Sequence, residues 1–228
     1  MTGSRPNAGG ARAKRLAAVS LALVGLASTA AAAKPDSQAG ETIRRMHSYG
    51  RCVVQQAPSD SKRVLGKAPG SKEERSLLHA ISSDLCLNGQ GGLEQIDFQP
   101  EWLRGEVAEE VLRRERGGDR IMARAVRVAP FPRLSDADVA ALDQRGQRTL
   151  RGLGLAECVQ AAAPQAVAEL LKTDPTSPEE DRTFRQVAPY LGPCFPQNAE
   201  TTLLRPQLRG FLAEAAYRAD YFAAHGSN

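Results

Sequence analysis

Cys52-Val53-Val54-Gln55-Gln56-Ala57-Pro58 returns 106 residues later as Cys158-Val159-Gln160-Ala161-Ala162-Ala163-Pro164. A chain that repeats itself must build the same local structure twice, so this feature limits the fold more than any other. At the same offset Leu65 meets Leu171, Pro69 meets Pro175, Ser71 meets Ser177, Glu73-Glu74 meets Glu179-Glu180, and Leu85 meets Leu191. Cys86 meets Cys194 once Gly192-Pro193 is taken as an insertion. Leu103-Arg104-Gly105-x-x-Ala108-Glu109-x-x-x-Arg113 then matches Leu208-Arg209-Gly210-x-x-Ala213-Glu214-x-x-x-Arg218 at an offset of 105. Matches that stay in order from the first cysteine to the last arginine imply an internal duplication. Copy 1 occupies residues 34–115 and copy 2 residues 135–228, with a linker over 116–134 that holds Gly117-Gly118 and Pro130-Phe131-Pro132.

Each copy reads as helices punctuated by proline and serine. Residues 42–57 and 147–163 carry apolar side chains at helical spacing, and Pro58 and Pro164 mark the end of that first helix. A short helix should follow, ending before Pro69 and Pro175. Ser71-x-x-Glu74 and Ser177-x-x-Glu180 fit a capping box, with the serine accepting from the first turn and the glutamate reaching back. The third helix should carry Leu77, Leu78, Ile81 and Leu85 in copy 1, against Phe184, Val187, Ala188 and Leu191 in copy 2. Pro189 should kink or shorten it in copy 2. A last helix should begin near Pro100 and Pro206. Leu93, Ile96 and Phe98, and Thr201 to Leu204, could form short extended segments paired in a minor β-ribbon. The fold expected is all-α, two related helical modules.

Four cysteines allow three pairings. A module that once folded alone would have closed its own bridge, which selects Cys52–Cys86 and Cys158–Cys194. Each loop is worth ~3.8 kcal/mol in the chain-entropy model. No C-x-x-C occurs and no histidine recurs with the cysteines, so neither a metal nor a cofactor is expected.

The compartment follows from the N-terminus. Arg5, Arg12, Lys14 and Arg15 precede an apolar run from Leu16 to Ala27 and a small-residue stretch ending at Ala33. Residues 1–33 therefore read as a secretory signal peptide, or as an uncleaved anchor if processing fails. The chain has 30 Lys+Arg and 26 Asp+Glu; cleavage would remove four bases and no acid, leaving the two equal. That removes the support for nucleic-acid binding. No later apolar run approaches spanning length. The expected location is periplasmic or secreted, where disulfides persist.

Candidate chemistry is sparse. His47, His79 and His225 do not recur: Leu153 answers the first and Arg185 the second. No polar set stands out as belonging to one copy alone. The repeated Leu-Arg-Gly-x-x-Ala-Glu segment is the most specific signal. Gly105 and Gly210 imply that something approaches the backbone closely, and the neighbouring helix is the plain candidate. Glu109–Arg113 and Glu214–Arg218 have the order of i,i+4 surface pairs. Arg104 and Arg209 are the candidate contacts for an anionic partner, a protein or envelope component. The module resembles one found in uncharacterised exported bacterial proteins. That resemblance implies export and duplication and no activity. The function expected is non-enzymatic binding in the periplasm or outside the cell. The alternative is a hydrolase acting on an envelope polymer through carboxylates.

Overall fold

The computed structural model describes residues 37–88, 99–117, 121, 134–195 and 203–225. They form ten helices: α1 (Ser37–Gln56), α2 (Pro58–Leu65), α3 (Lys72–Ile81), α4 (Asp84–Asn88), α5 (Pro100–Arg116), α6 (Asp136–Ala141), α7 (Gln144–Ala162), α8 (Pro164–Leu171), α9 (Pro178–Cys194) and α10 (Arg205–His225). There is no strand among the described residues. The proposed signal segment lies outside them, and so does the proposed ribbon apart from Leu203 and Leu204, which have no regular structure.

Proline and serine place the boundaries as their chemistry requires. Pro58, Pro164 and Pro100 open α2, α8 and α5, where a missing N–H breaks no helical bond. Ser71 and Ser177 accept from the backbone N–H of Glu74 and Glu180. The glutamates do not close the box onto the serines. Each reaches one residue further back, Glu74 to the N–H of Gly70 at 2.6 Å and Glu180 to that of Thr176 at 2.7 Å. Gly70 and Thr176 both have a left-handed φ, +77° and +66°. A β-branched residue rarely adopts it. Thr176 is held there by Glu180 and by Arg44 of α1, which donates to its hydroxyl at 2.6 Å.

Both disulfides form as expected, Cys52–Cys86 and Cys158–Cys194, with Cα separations of 5.6 and 5.7 Å. The two halves reach this geometry differently. Pro189 and Pro193 do not interrupt α9, which runs through both to Cys194. Pro189 is on the exposed side, so the carbonyl it strands can be met by water. The first half, which has no proline there, is the one that breaks. Ser82 Oγ donates to the carbonyl of Leu78, and the N–H of Ser83 donates to the hydroxyl of buried Tyr49. These bonds compete with the helix ladder and end α3 at Ile81. The chain restarts as α4, which turns Leu85 to solvent, 73% exposed, while Cys86 is buried. Leu85 is therefore not a core residue.

The core is shared between the halves. α5 packs on α1, α2 and α10, and α10 packs on α5, α7 and α8. Val53, Val107, Leu112, Leu153, Val159 and Leu212 belong to one buried cluster. The segment expected as a linker contributes to it. Arg116 closes α5, Gly117 caps it in the left-handed conformation, and Ile121 is buried in the cluster. Leu134, half-buried, is also described; residues 118–120 and 122–133 lie outside those described.

α5 and α10 cross at Gly105 and Gly210. A Cβ on Gly105 would lie 2.6 Å from the Cα of Gly210, and one on Gly210 would lie 2.9 Å from the Cα of Gly105. No side chain fits between. Gly105→Ala should therefore push the helices apart and cost about 1–3 kcal/mol. Gly154, inside α7 with open space around it, is the control: Gly154→Ala should be neutral or stabilising by up to ~1 kcal/mol. Urea denaturation of both variants checks this.

Candidate functional site

Arg104 and Arg209 are buried beside the glycine crossing. Arg104 on α5 donates Nε and Nη2 to both oxygens of Glu214 on α10, each at 2.7 Å. Arg209 on α10 donates Nε and Nη2 to both oxygens of Glu109 on α5, at 2.8 and 2.7 Å. The pairing is reciprocal across the two halves. Nη1 of each arginine also meets a cap glutamate of its own half, Arg104 to Glu74 at 2.9 Å and Arg209 to Glu180 at 2.8 Å. The remaining N–H groups of Arg104 go to the carbonyls of Val64 and Leu65. Those of Arg209 go to the hydroxyl and carbonyl of Thr173. A guanidinium has five N–H groups, and here every one is engaged inside the fold. As candidate contacts for an outside anion these two residues are therefore corrected: the anions they meet are internal carboxylates.

The i,i+4 pairs are corrected too. Arg218 does donate to Glu214 at 2.8 Å, but buried, and also to the carbonyl of Leu65 at 2.6 Å. Arg113 turns instead to Glu110, at 2.7 and 2.8 Å. The reason is local: Glu110 offers Arg113 a carboxylate at i−3, and the matching residue for Arg218 is Ala215.

A polar set peculiar to the first half does exist. His47 Nδ1 lies 2.7 Å from Glu106 Oε2 and 4.0 Å from Glu109 Oε1. One turn further along both helices, Arg51 stands 3.9 Å from Glu110. Residues four apart share a helix face, so these pairs form a seam between α1 and α5. Gly50 permits the approach: a Cβ there would lie 2.4 Å from the Cβ of Glu106. Arg113 and Arg114, both partly exposed, also hold Glu110, which is itself buried. The second half fills the corresponding seam between α7 and α10 with Leu153, Phe211, Ala215 and Ala219, all buried, and puts buried Glu157 in the place of Arg51. In the sequence these differences stand singly, one position at a time. Nothing in it says that positions 47 and 106 touch.

The seam's carboxylates are tuned apart. Burial pushes the Glu106 carboxyl above its usual range; the hydrogen bond from His47 only partly offsets this, and the charge of Glu109 adds to it. Burial acts on Glu109 in the same sense, but Arg209 outweighs it and holds Glu109 below the usual range. Burial disfavours the His47 imidazolium, yet the bond to Glu106 and the charges of Glu109 and Glu106 prevail over that and over Arg209, so His47 titrates above an ordinary histidine.

The other expected residues stay apart from this site. His79 is exposed, and the His225 side chain lies outside the described residues. Glu73 and Glu179 are exposed beside their buried neighbours. Among the described residues, no group of three His, Cys, Asp or Glu side chains could hold a metal, and no helix is long and apolar enough to cross a membrane. Comparison with protein-family models, with curated proteins and with solved structures finds no match for this chain.

Two outcomes follow from these contacts. Arg209→Ala would leave Glu109 and Glu180 buried without their cation, and removing one partner of a buried pair costs about 3–5 kcal/mol. Arg182→Ala, in an exposed pair with Glu179, should cost no more than ~1 kcal/mol. Chemical denaturation distinguishes them. The second outcome concerns pH. His47 and Glu106 are both raised in the folded state, so both hold protons more tightly folded than unfolded. The stability each adds is complete below its unfolded pKa and is lost as pH rises through the folded value. Stability should fall as pH climbs above about 6.5, where histidine titrates. His47→Gln should flatten that part of a stability–pH profile.

Proposed function

We propose that this chain is exported by its N-terminal segment, that its halves descend from one duplicated module, and that it serves as a non-enzymatic interaction protein. The α1–α5 seam is the face it presents to its partner, a protein or envelope component. One observation carries the choice of face. The seam is polar and reachable from solvent in the first half, while the corresponding positions of the second half are buried and mostly apolar. Export draws support from the two disulfides, which persist in an oxidising compartment. Duplication draws support from the shared order of helices and from the reciprocal arginine–glutamate bonds.

The hydrolase alternative has less to stand on. It needs two carboxylates available to a scissile bond. Both oxygens of Glu109 accept from Arg209, and both oxygens of Glu214 accept from Arg104. Of the seam's acids, Glu110 is held by Arg113 and Arg114, which leaves Glu106.

The test compares the chain from residue 34 onward with the charge-reversed seam variant Arg51→Glu/Arg114→Glu and with Arg182→Glu on the second half. All three are immobilised and offered envelope extract of the producing cell. A component retained by the parent and by Arg182→Glu, and lost by the seam variant, is the expected result. Equal retention by all three would remove the seam from the role of partner face.

A further inference from the structure

At the lower end of the seam, a cavity of about 220 Å³ opens between α1, α2 and α5. Its floor is Val54 and Val111, each 1% exposed, its apolar wall is Pro58, and Lys62, Arg114 and Glu115 stand at its rim. We propose that this cavity binds a single-chain anionic amphiphile, with the hydrocarbon tail in the cavity and a carboxylate or phosphate head on Arg114 and Lys62. The proposal rests on reading the seam as the partner face, and adds the ligand's chemistry to it.

Charge argues for the head. Of the residues lining the opening, Lys62 and Arg114 are basic and Glu115 is acidic. The surplus of one positive charge survives the roughly half negative charge at the end of α5. Arg114 is the better placed of the two bases. Among the described residues it gives only its Nε, to Glu110 at 2.7 Å, and its side chain is 41% exposed. Its two terminal NH₂ groups are therefore available as a fork for a carboxylate or phosphate. Lys62 faces the same opening through its contact with Glu115.

Shape argues for the tail. At ~30 Å³ per water-sized group, the volume holds about seven such groups. That suits a short chain taken up singly and is too small for a branched or two-chain lipid. An apolar lining with a few polar groups at its mouth is the general form of a small-molecule site. The second half offers no equivalent: its matching positions are Gln160 for Val54, Ala168 for Lys62 and Ala219 for Arg114.

Isothermal titration of the chain from residue 34 onward tests the proposal, with octanoate, octyl phosphate, octylammonium, acetate, inorganic phosphate and anionic phospholipid vesicles as probes. Octanoate or octyl phosphate should bind one to one, at least tenfold tighter than octylammonium and than the headgroup alone. The tighter of the two identifies the head. Arg114→Ala should weaken that binding by about tenfold, the size of one charge-assisted contact. Lys62→Glu/Arg114→Gln should abolish it; Arg113 still holds Glu110 in that variant, and a thermal melt checks its fold. Equal binding of the cationic and anionic amphiphiles would overturn the proposal. So would indifference to Arg114→Ala, inorganic phosphate binding as tightly as octyl phosphate, or binding to vesicles alone. A null titration beside seam-dependent retention from extract removes the ligand class and leaves the seam as partner face. Titration as expected beside indifferent retention does the reverse.

Discussion

Every other feature of this fold is arranged around two buried guanidinium groups. α5 and α10 are covered on nearly all sides, yet each carries an arginine and a glutamate into the covered region. A buried charge without a partner is strongly destabilising, so these helices can be buried only together. Arg104 has its bidentate partner on α10, and Arg209 has its own on α5. Neither half could therefore bury its last helix alone without orphaning a carboxylate. The interface is self-complementary in the way that a two-fold dimer contact is: one motif meets a second copy of itself. The glycine crossing sets the distance at which this works. Any side chain at Gly105 or Gly210 would separate the helices and lengthen both pairs of bonds.

The same two arginines reach the peripheral turns. Glu74 and Glu180 each take an arginine on one oxygen and a left-handed turn residue's N–H on the other. One carboxylate thus fixes the turn that precedes a helix and neutralises a buried cation. Those turns then touch the opposite half: Thr176 receives Arg44 of α1, and Gly70 packs against Gly146 of α7. The disulfides close each half internally, while the ion pairs join the halves, so the two kinds of crosslink have separate tasks.

Local chemistry was legible in the sequence, and tertiary pairing was not. Pro58, Pro100, Pro164, Ser71 and Ser177 announce helix boundaries because their constraints act within a few residues. The cysteine pairing was also legible, since recurring sequence around both cysteines points to one bridge within each half. Expectation failed where the choice among partners, near or far, depends on which of them the packing buries. Leu85 fits a helical apolar stripe until Ser82 and Ser83 find Leu78 and Tyr49. Glu109 has an arginine four residues on, yet it bonds one a hundred residues away, because that one is buried with it. Pro189 does not shorten its helix, because it sits on the exposed side, where the carbonyl it strands can meet water. The seam was missed for the same reason: His47 and Glu106 are unremarkable until α1 is laid on α5.

The seam's chemistry follows from the ion-pair lattice. On α5, Arg104, Gly105 and Glu109 face α10, while Glu106 and Glu110 face α1. Positions toward α10 are constrained from both sides, since a change in one half strands a charge in the other. Positions toward α1 answer only to a helix of their own half. The two halves differ in that direction without disturbing what joins them. In the second half the seam deepens the core: Phe211 packs over Gly152, and Leu153 is fully buried. In the first half the seam gives up that apolar burial, worth about 1.5–3 kcal/mol per large side chain, for a buried acid, Glu110, and for a histidine, a second acid and three arginines that are at least partly exposed. Arg209 completes the contrast. By taking Glu109 wholly, it leaves Glu106 as the carboxylate that His47 can meet, with one of the pair held low and the other raised. The seam meets the joining lattice only where His47 comes within 4.0 Å of Glu109, a carboxylate already held by Arg209, and it costs stability that an apolar seam would supply, which is the physical case for looking to it for function.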